Sequence, residues 1–124
     1  MYDVIIRDGT IVRSSGRLVA DIAIQDGKIA YVGGNPGGPG KEEISAIGRF
    51  VMPGVIDTHV NFRDPGDPAI ESWATGSVEA LRGGVTTVLD MPNTEPATLC
   101  MKTVQAKLDK AATDSFVNYG VWAG

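Results

Sequence analysis

The hydrophobic rhythm of the chain changes once, at Pro53. Up to that point short β-rich runs are broken by turn signals: VIIR-DG-TIVR and DIAIQ-DG-KIAYVG each place an Asp-Gly pair, Asp8-Gly9 and Asp26-Gly27, between apolar stretches. Asp-Gly supplies the positive φ angles of a tight hairpin turn, so residues 2–33 are predicted to form two β-hairpins. The stretch from Gly33 to Gly40, GGNPGGPG, cannot continue a strand, because proline lacks a donor and glycine lacks packing surface. No helix follows it to seat an anion, which argues against a phosphate-binding loop. Glu43 to Ile47 and Arg49 to Met52 read as further short strands, which makes residues 1–52 an all-β segment.

Beyond Pro53 the pattern alternates strand and helix. Val55 to Phe62 is an apolar strand whose polar residues fall at every second position: Asp57, His59 and Asn61, then Arg63. Period two puts these four on one face and Ile56, Thr58, Val60 and Phe62 on the other. Polar groups aligned at the C-terminal end of a buried strand point to a site. After the turn-rich RDPGDPA, apolar residues at Ile70, Trp73, Ala74, Val78 and Leu81 predict a one-sided helix, stopped by Gly83-Gly84 as a left-handed cap. Val85 to Met91 reads as a second buried strand, followed by the loop NTEPA. A second helix, Thr98 to Ala112, is expected to bury Met101, Val104, Leu108 and Ala111 and to show Lys102, Lys107 and Lys110 to water. Phe116 to Trp122 reads as a third strand.

The order β-α-β-α-β implies a parallel sheet with right-handed crossovers. A closed eight-stranded α/β barrel needs about 250 residues, so residues 53–124 supply the first three βα units of a TIM-like (β/α)8 barrel, an incomplete one. The third strand is then an exposed apolar edge that a second copy or a complementing chain would have to cover. The fold class is α/β, divided into residues 1–52 and 53–124.

Composition narrows the function classes. A net charge of −4 argues against nucleic acid. No run of 18 apolar residues suggests a membrane span, and MYDVIIRDG lacks the basic start of a signal peptide, so a cytoplasmic protein is expected. The single Cys100 has no internal disulfide partner and reads as a plain helix residue. Asp57 and Asp90 read as structural acids, and Trp73 and Trp122 as packing residues.

PGVIDTHVNFRDPG, followed two dozen residues later by ALRGGVTTVLDMPNTEPAT, resembles the first third of a cyclic amidohydrolase, and within that group a dihydroorotase. The resemblance covers essentially the whole chain and implies that residues 1–52 are part of a small β-sandwich. In that family the first barrel strand ends in His-x-His, both imidazoles binding zinc whose water attacks a ring amide carbonyl. Here the motif is His59-Val60-Asn61, so the resemblance implies His59 as a metal ligand, with Asn61 in place of the second histidine. An amide oxygen is a poor substitute for imidazole on zinc.

The dihydroorotase branch also implies that Arg63 and Asn93 grip a substrate carboxylate, through a planar guanidinium fork and an amide donor. Hydantoinases typically lack that pair. On the residues alone, Arg63 could instead pair with Asp64 or Asp67, and Asn93 could be a turn residue. The family's further ligands and its proton-shuttling Asp lie on later strands, so no catalytic residue is assigned within these 124 positions. The chain by itself is expected to be inactive. The reading is therefore a dihydroorotase-like hydrolase of cyclic amides in pyrimidine biosynthesis. Its alternatives are a non-catalytic binding or scaffolding relative and a hydantoinase- or allantoinase-type enzyme.

Overall fold

A computed structural model describes residues 1–124. The chain divides into two compact units, Met1–Pro53 and Gly54–Gly124. The first holds β1 (Tyr2–Arg13), β2 (Gly16–Gln25), β3 (Lys28–Gly33), β4 (Gly40–Ser45) and β5 (Phe50–Val51). These make one sheet in the order β3-β2-β1-β4, with β5 also pairing with β1. β1, β2 and β3 are antiparallel neighbours, whereas β4 and β5 run parallel to β1.

The two Asp-Gly pairs play different parts. Asp26-Gly27, at φ of 52° and 70°, turns β2 into β3 as expected. Asp8-Gly9 does not turn the chain: β1 runs straight through it, the pairing register with β2 slips between Ile6 and Gly9, and the hairpin turn falls at Ser14-Ser15. Asp8, at φ 55°, forms a β-bulge, and its N–H donates to the buried Asp21 carboxylate at 2.9 Å. A side chain on Gly9 would come within 2.6 Å of Val51, so glycine is needed for close packing there. The bulge also separates the partners of β1: β4 pairs with Tyr2–Arg7 and β5 with Thr10–Ile11.

Arg7 bridges Asp21 and Glu43, each at 2.8 Å. The Asp8 N–H and the Arg7 guanidinium hold the Asp21 carboxyl below its ordinary value. One apolar face of the sheet, with Ile6, Ile11, Ile22, Ile24, Val51 and Met52, lines an open groove of about 320 Å³.

The second unit holds β6 (Val55–Val60), α1 (Trp73–Arg82), β7 (Val85–Asp90), α2 (Met101–Asp114) and β8 (Asn118–Val121). The three strands form a parallel sheet in the order β6-β7-β8, the βα repeat of an incomplete barrel. Its core is Trp73 and Ala111 from the two helices, Val88 from the central strand, and Phe62 and Val117 from the segments just after β6 and just before β8. Phe62 meets Trp73 edge to face at 5.1 Å, and Trp73 meets Tyr119 at 5.9 Å. The indole N–H of Trp73 donates to Asp64 O at 3.0 Å, which satisfies the one polar atom on a fully buried ring.

The outer strand β6 is less buried than its apolar run suggests: Val55 and Ile56 are exposed, because β6 lies at a sheet edge. α1 begins later than the apolar spacing predicts. Ser72 caps it, exchanging hydrogen bonds with Thr75, and Ile70 stays exposed in the preceding turn. Gly84, at φ 86°, ends it in the left-handed conformation expected. Its buried face is Trp73, Gly76 and Ser77, while Leu81 is half exposed. In α2 the expected faces are partly exchanged: Met101 is 77% exposed and Lys107 is fully buried. The physical reason is the charge that Lys107 meets inside, described below.

Two outcomes follow from this packing. A methyl group at Gly76 would overlap the Phe62 ring. Alanine favours a helix by about 1 kcal/mol over glycine, but overpacking a tight core costs about 1–3 kcal/mol. Gly76→Ala is therefore expected to be net destabilising, read as a lower urea midpoint. Because folding depresses the Asp21 carboxyl, its stabilisation is present above the ordinary carboxylate value and is lost as the pH falls through the lower folded value. Acidification below about pH 4 is expected to speed hydrogen exchange at Ile5, and Asp21→Asn should flatten that dependence.

Candidate active site at the strand ends

The polar residues singled out in the sequence lie at or beyond the C-terminal ends of β6 and β7. His59 is the penultimate residue of β6 and is exposed; its backbone N–H donates to Asp57 Oδ1 at 3.0 Å. Asn61 follows the strand and is half-buried, and Arg63, two residues on, is exposed. Asn93 stands three residues past the end of β7 and is exposed.

Arg63 and Asn93 come from different loops and line one cleft of about 380 Å³, together with Pro65, Asp67, Thr94 and Glu95. The two loops touch directly. Glu95 N–H donates to Pro65 O at 3.2 Å, and Gly66, at φ 132°, lies so close to Glu95 that a side chain would crowd it.

Arg63 is not tied up as a surface ion pair with either neighbouring acid. Asp64 is buried, 3.7 Å from Lys110, and its carboxylate faces the Trp73 N–H at 3.4 Å. Asp67 meets Arg63 only through the backbone, its N–H donating to Arg63 O at 2.6 Å. The guanidinium is thus left to the cleft, which also carries the Asn93 amide and the carboxylates of Asp67 and Glu95.

Beneath the cleft, at the end of β7, lies a polar cluster that hydrophobic periodicity assigns wrongly. Asp90 and Lys107 are both buried, Nζ standing 2.5 Å from Oδ2. Two of the three lysine N–H donors serve Met91 O (2.6 Å) and Thr98 Oγ1 (3.4 Å), and the contact with Oδ2 is a close ion pair. Asp90 Oδ1 accepts the N–H of Phe62 at 2.8 Å. Burial pushes the Asp90 carboxyl above its ordinary value, against the opposing pull of Lys107 and the N–H groups of Phe62 and Met91. A signal for Lys107 is present in the sequence: it lies three residues from Val104 and four from Ala111, on the apolar stripe itself.

The donors at hand do not complete a catalytic zinc site. His59 is the only histidine, and no three His, Cys, Asp or Glu side chains converge anywhere in the chain. A catalytic zinc needs three protein ligands plus an open position. Cys100 lies at the first residue before α2, exposed, its thiol drawn below its ordinary value chiefly by the Thr103 N–H. No helix is long and apolar enough to cross a membrane.

Parallel βα units with a polar cleft at the C-terminal strand ends define a barrel-type α/β protein whose candidate site lies at the mouth of the sheet. The chain belongs to the amidohydrolase family, whose model matches residues 50–124. It is 44% identical over 124 residues to an allantoinase of Desulfitobacterium hafniense (strain Y51), covering 99% of this chain and 28% of that protein. It is 40% identical to an allantoinase of Rubrobacter xylanophilus, with 99% and 27% covered. Among solved structures it is similar to the L-hydantoinase (dihydropyrimidinase) of Arthrobacter aurescens, with a TM-score of 0.93 and 34% identity over 100% of this chain and 28% of that one. The chain therefore spans a little over a quarter of the relatives it matches.

Removing Lys107 tests the electrostatics beneath the cleft. Lys107→Met leaves the Asp90 charge buried without its partner, a loss of about 3–5 kcal/mol. A carboxyl raised by burial is tolerated when protonated, so that loss is expected to shrink as the pH falls from 8 toward 4 and to grow as it rises. Denaturant midpoints at both ends of the range measure it.

Proposed function

We propose that the chain supplies the first βα units of a hydrolase that opens the C–N bond of cyclic amides, of the allantoinase or hydantoinase type. The observation that carries this reading is the composition of the cleft. Arg63 and Asn93 offer donors beside Asp67 and Glu95, which offer acceptors. A neutral cyclic ureide presents both carbonyl acceptors and N–H donors and matches that mixture. A ring bearing a free carboxylate would gain Arg63 but meet two carboxylates nearby, and like charges disfavour it. The names of the similar allantoinases and of the hydantoinase support the same reading.

A dihydroorotase type, acting between dihydroorotate and carbamoyl aspartate, is the second reading. It is favoured by Arg63 and Asn93 lining one cleft, the arrangement a carboxylate grip requires. In both readings Arg63 and Asn93 bind and orient the ring. His59 is the metal ligand this chain contributes, with Asn61 a weak neighbouring donor, and the remaining ligands come from polypeptide outside these 124 residues. Zinc would supply the activated water when bound. The protein works in the cytoplasm on a small-molecule ring, and the open side of β8 is covered by a further strand, a second copy or a complementing chain.

The test begins with the polypeptide isolated from its source by an antibody to residues 1–33. It is expected to exceed the 13.0 kDa of this chain several-fold, to carry zinc, and to open allantoin or hydantoin faster than dihydroorotate. Arg63→Ala is expected to raise KM about 10- to 100-fold, the worth of a hydrogen bond to a charged group. The 124-residue chain alone should open none of the three rings. A zinc-loaded native polypeptide inert toward all three would sink both readings and leave a binding or scaffolding protein. Preference for dihydroorotate would select the second.

A further inference from the structure

Arg63 and Asn93 reach the cleft on loops that leave different strands, and the same buried pair grips each loop next to its cleft residue. Asp90 Oδ1 takes the N–H of Phe62, the residue immediately before Arg63. Lys107 Nζ holds Met91 O, two residues before Asn93. The lysine also meets Thr98 Oγ1, while Thr98 N–H donates to Pro92 O at 3.0 Å and its hydroxyl lies 3.4 Å from that of Thr94. The loop carrying Asn93 is thus folded around the ammonium, and the loop carrying Arg63 is pinned to the carboxylate.

Stability alone is a weak reason for such a pair, since apolar residues of similar volume usually serve a core as well or better. We infer that Asp90 and Lys107 are positioning residues, which set the separation of Arg63 and Asn93 across the cleft and thereby its affinity for the ring. The inference rests on the proposed binding role of the cleft. The pair touches neither the ring nor a metal and acts only through the backbone of the two loops.

The test uses Asp90→Asn/Lys107→Met in the native polypeptide, a double variant that leaves no unpaired charge. Asparagine keeps an acceptor for Phe62 N–H, and methionine fills the lysine stem while giving up the donor to Met91 O. The expected result is a melting temperature close to that of the unaltered protein. KM should rise roughly tenfold to a hundredfold, the scale of an ångström-sized misplacement, with little change in kcat. Added to Arg63→Ala, the double variant should raise KM no further, because both changes remove one arrangement. A folded double variant with unchanged KM, or a KM effect fully additive with Arg63→Ala, would overturn the inference.

If Arg63→Ala alone leaves KM unchanged, the binding role of the cleft fails, and NMR of the loops decides the inference separately. The Arg63 Nε and Asn93 side-chain signals should shift in the double variant while the Ile24 amide does not; unmoved loop signals would refute it. Should the double variant not fold, Thr98→Val, which removes one oxygen from around the ammonium, is followed by the same signals: a shift at Arg63 and Asn93 supports the inference, and unmoved signals refute it.

Discussion

The arrangement of the strand ends in the second unit depends on a charge pair placed where water cannot reach it. Taking two ions out of water costs several kcal/mol each, and their attraction offsets that only if the remaining hydrogen-bonding capacity is used. At the end of β7 most of it is used. Asp90 accepts from Phe62, and Lys107 donates to Met91 and Thr98. The backbone joins in, with Met91 N–H donating to Val60 O and Trp122 N–H to Asp90 O, both at 2.9 Å. One acidic residue therefore registers the ends of all three parallel strands and the helix that packs over them. A strand end in a parallel sheet otherwise leaves such groups unpaired just where a site must be built.

Around that pair the apolar core does the coarser positioning. Phe62 turns inward at the end of β6 and packs edge-on against Trp73. The helix approaches the ring closely enough because Gly76 faces it. Asp64, two residues on, is buried beneath the Trp73 indole and faces the first turn of α1. Between these inward anchors, at Phe62 and Asp64, Arg63 has nowhere to go but outward. Its presentation to the cleft follows from the burial of its neighbours, with no partner needed to hold the guanidinium itself.

Those anchors explain which parts of the architecture are legible in the sequence. The switch from hairpins to βα units at Pro53 is legible, because proline, glycine and hydrophobic period act locally. So is the C-terminal stop of α1 at Gly83-Gly84. Asp8-Gly9 and Asp26-Gly27 are identical dipeptides with nearly identical Asp φ angles, yet one is a bulge and the other a turn. Each Asp N–H donates to a distant carboxylate, Asp21 or Asp3, so the difference lies in Ala46 and Val51, which pack against Gly9 while nothing meets Gly27. Lys107 escapes a sequence reading for a similar reason. A periodicity argument assigns a lysine to water unless the acid it will meet is known, and Asp90 lies seventeen positions earlier on another element. Motifs single out Arg63 and Asn93, but that they line one cleft is a property of two loops meeting at Glu95 and Pro65.

The same distinction bears on substrate. A motif identifies residue types, so Arg63 and Asn93 suggest a carboxylate grip; a cleft adds the company they keep, and here that company is Asp67 and Glu95. Hydrolysis of a cyclic amide creates a carboxylate whatever the ring, so an arginine at the strand ends serves an acidic substrate or an acidic product equally well by charge alone. Two acids beside it shift that balance. Under the proposed function they would give a neutral ureide acceptors for its N–H groups and would weaken the hold on an anionic product, whose tight binding would slow release. On the proposed reading, a mixed cleft of this kind suits a ring that enters neutral and leaves charged.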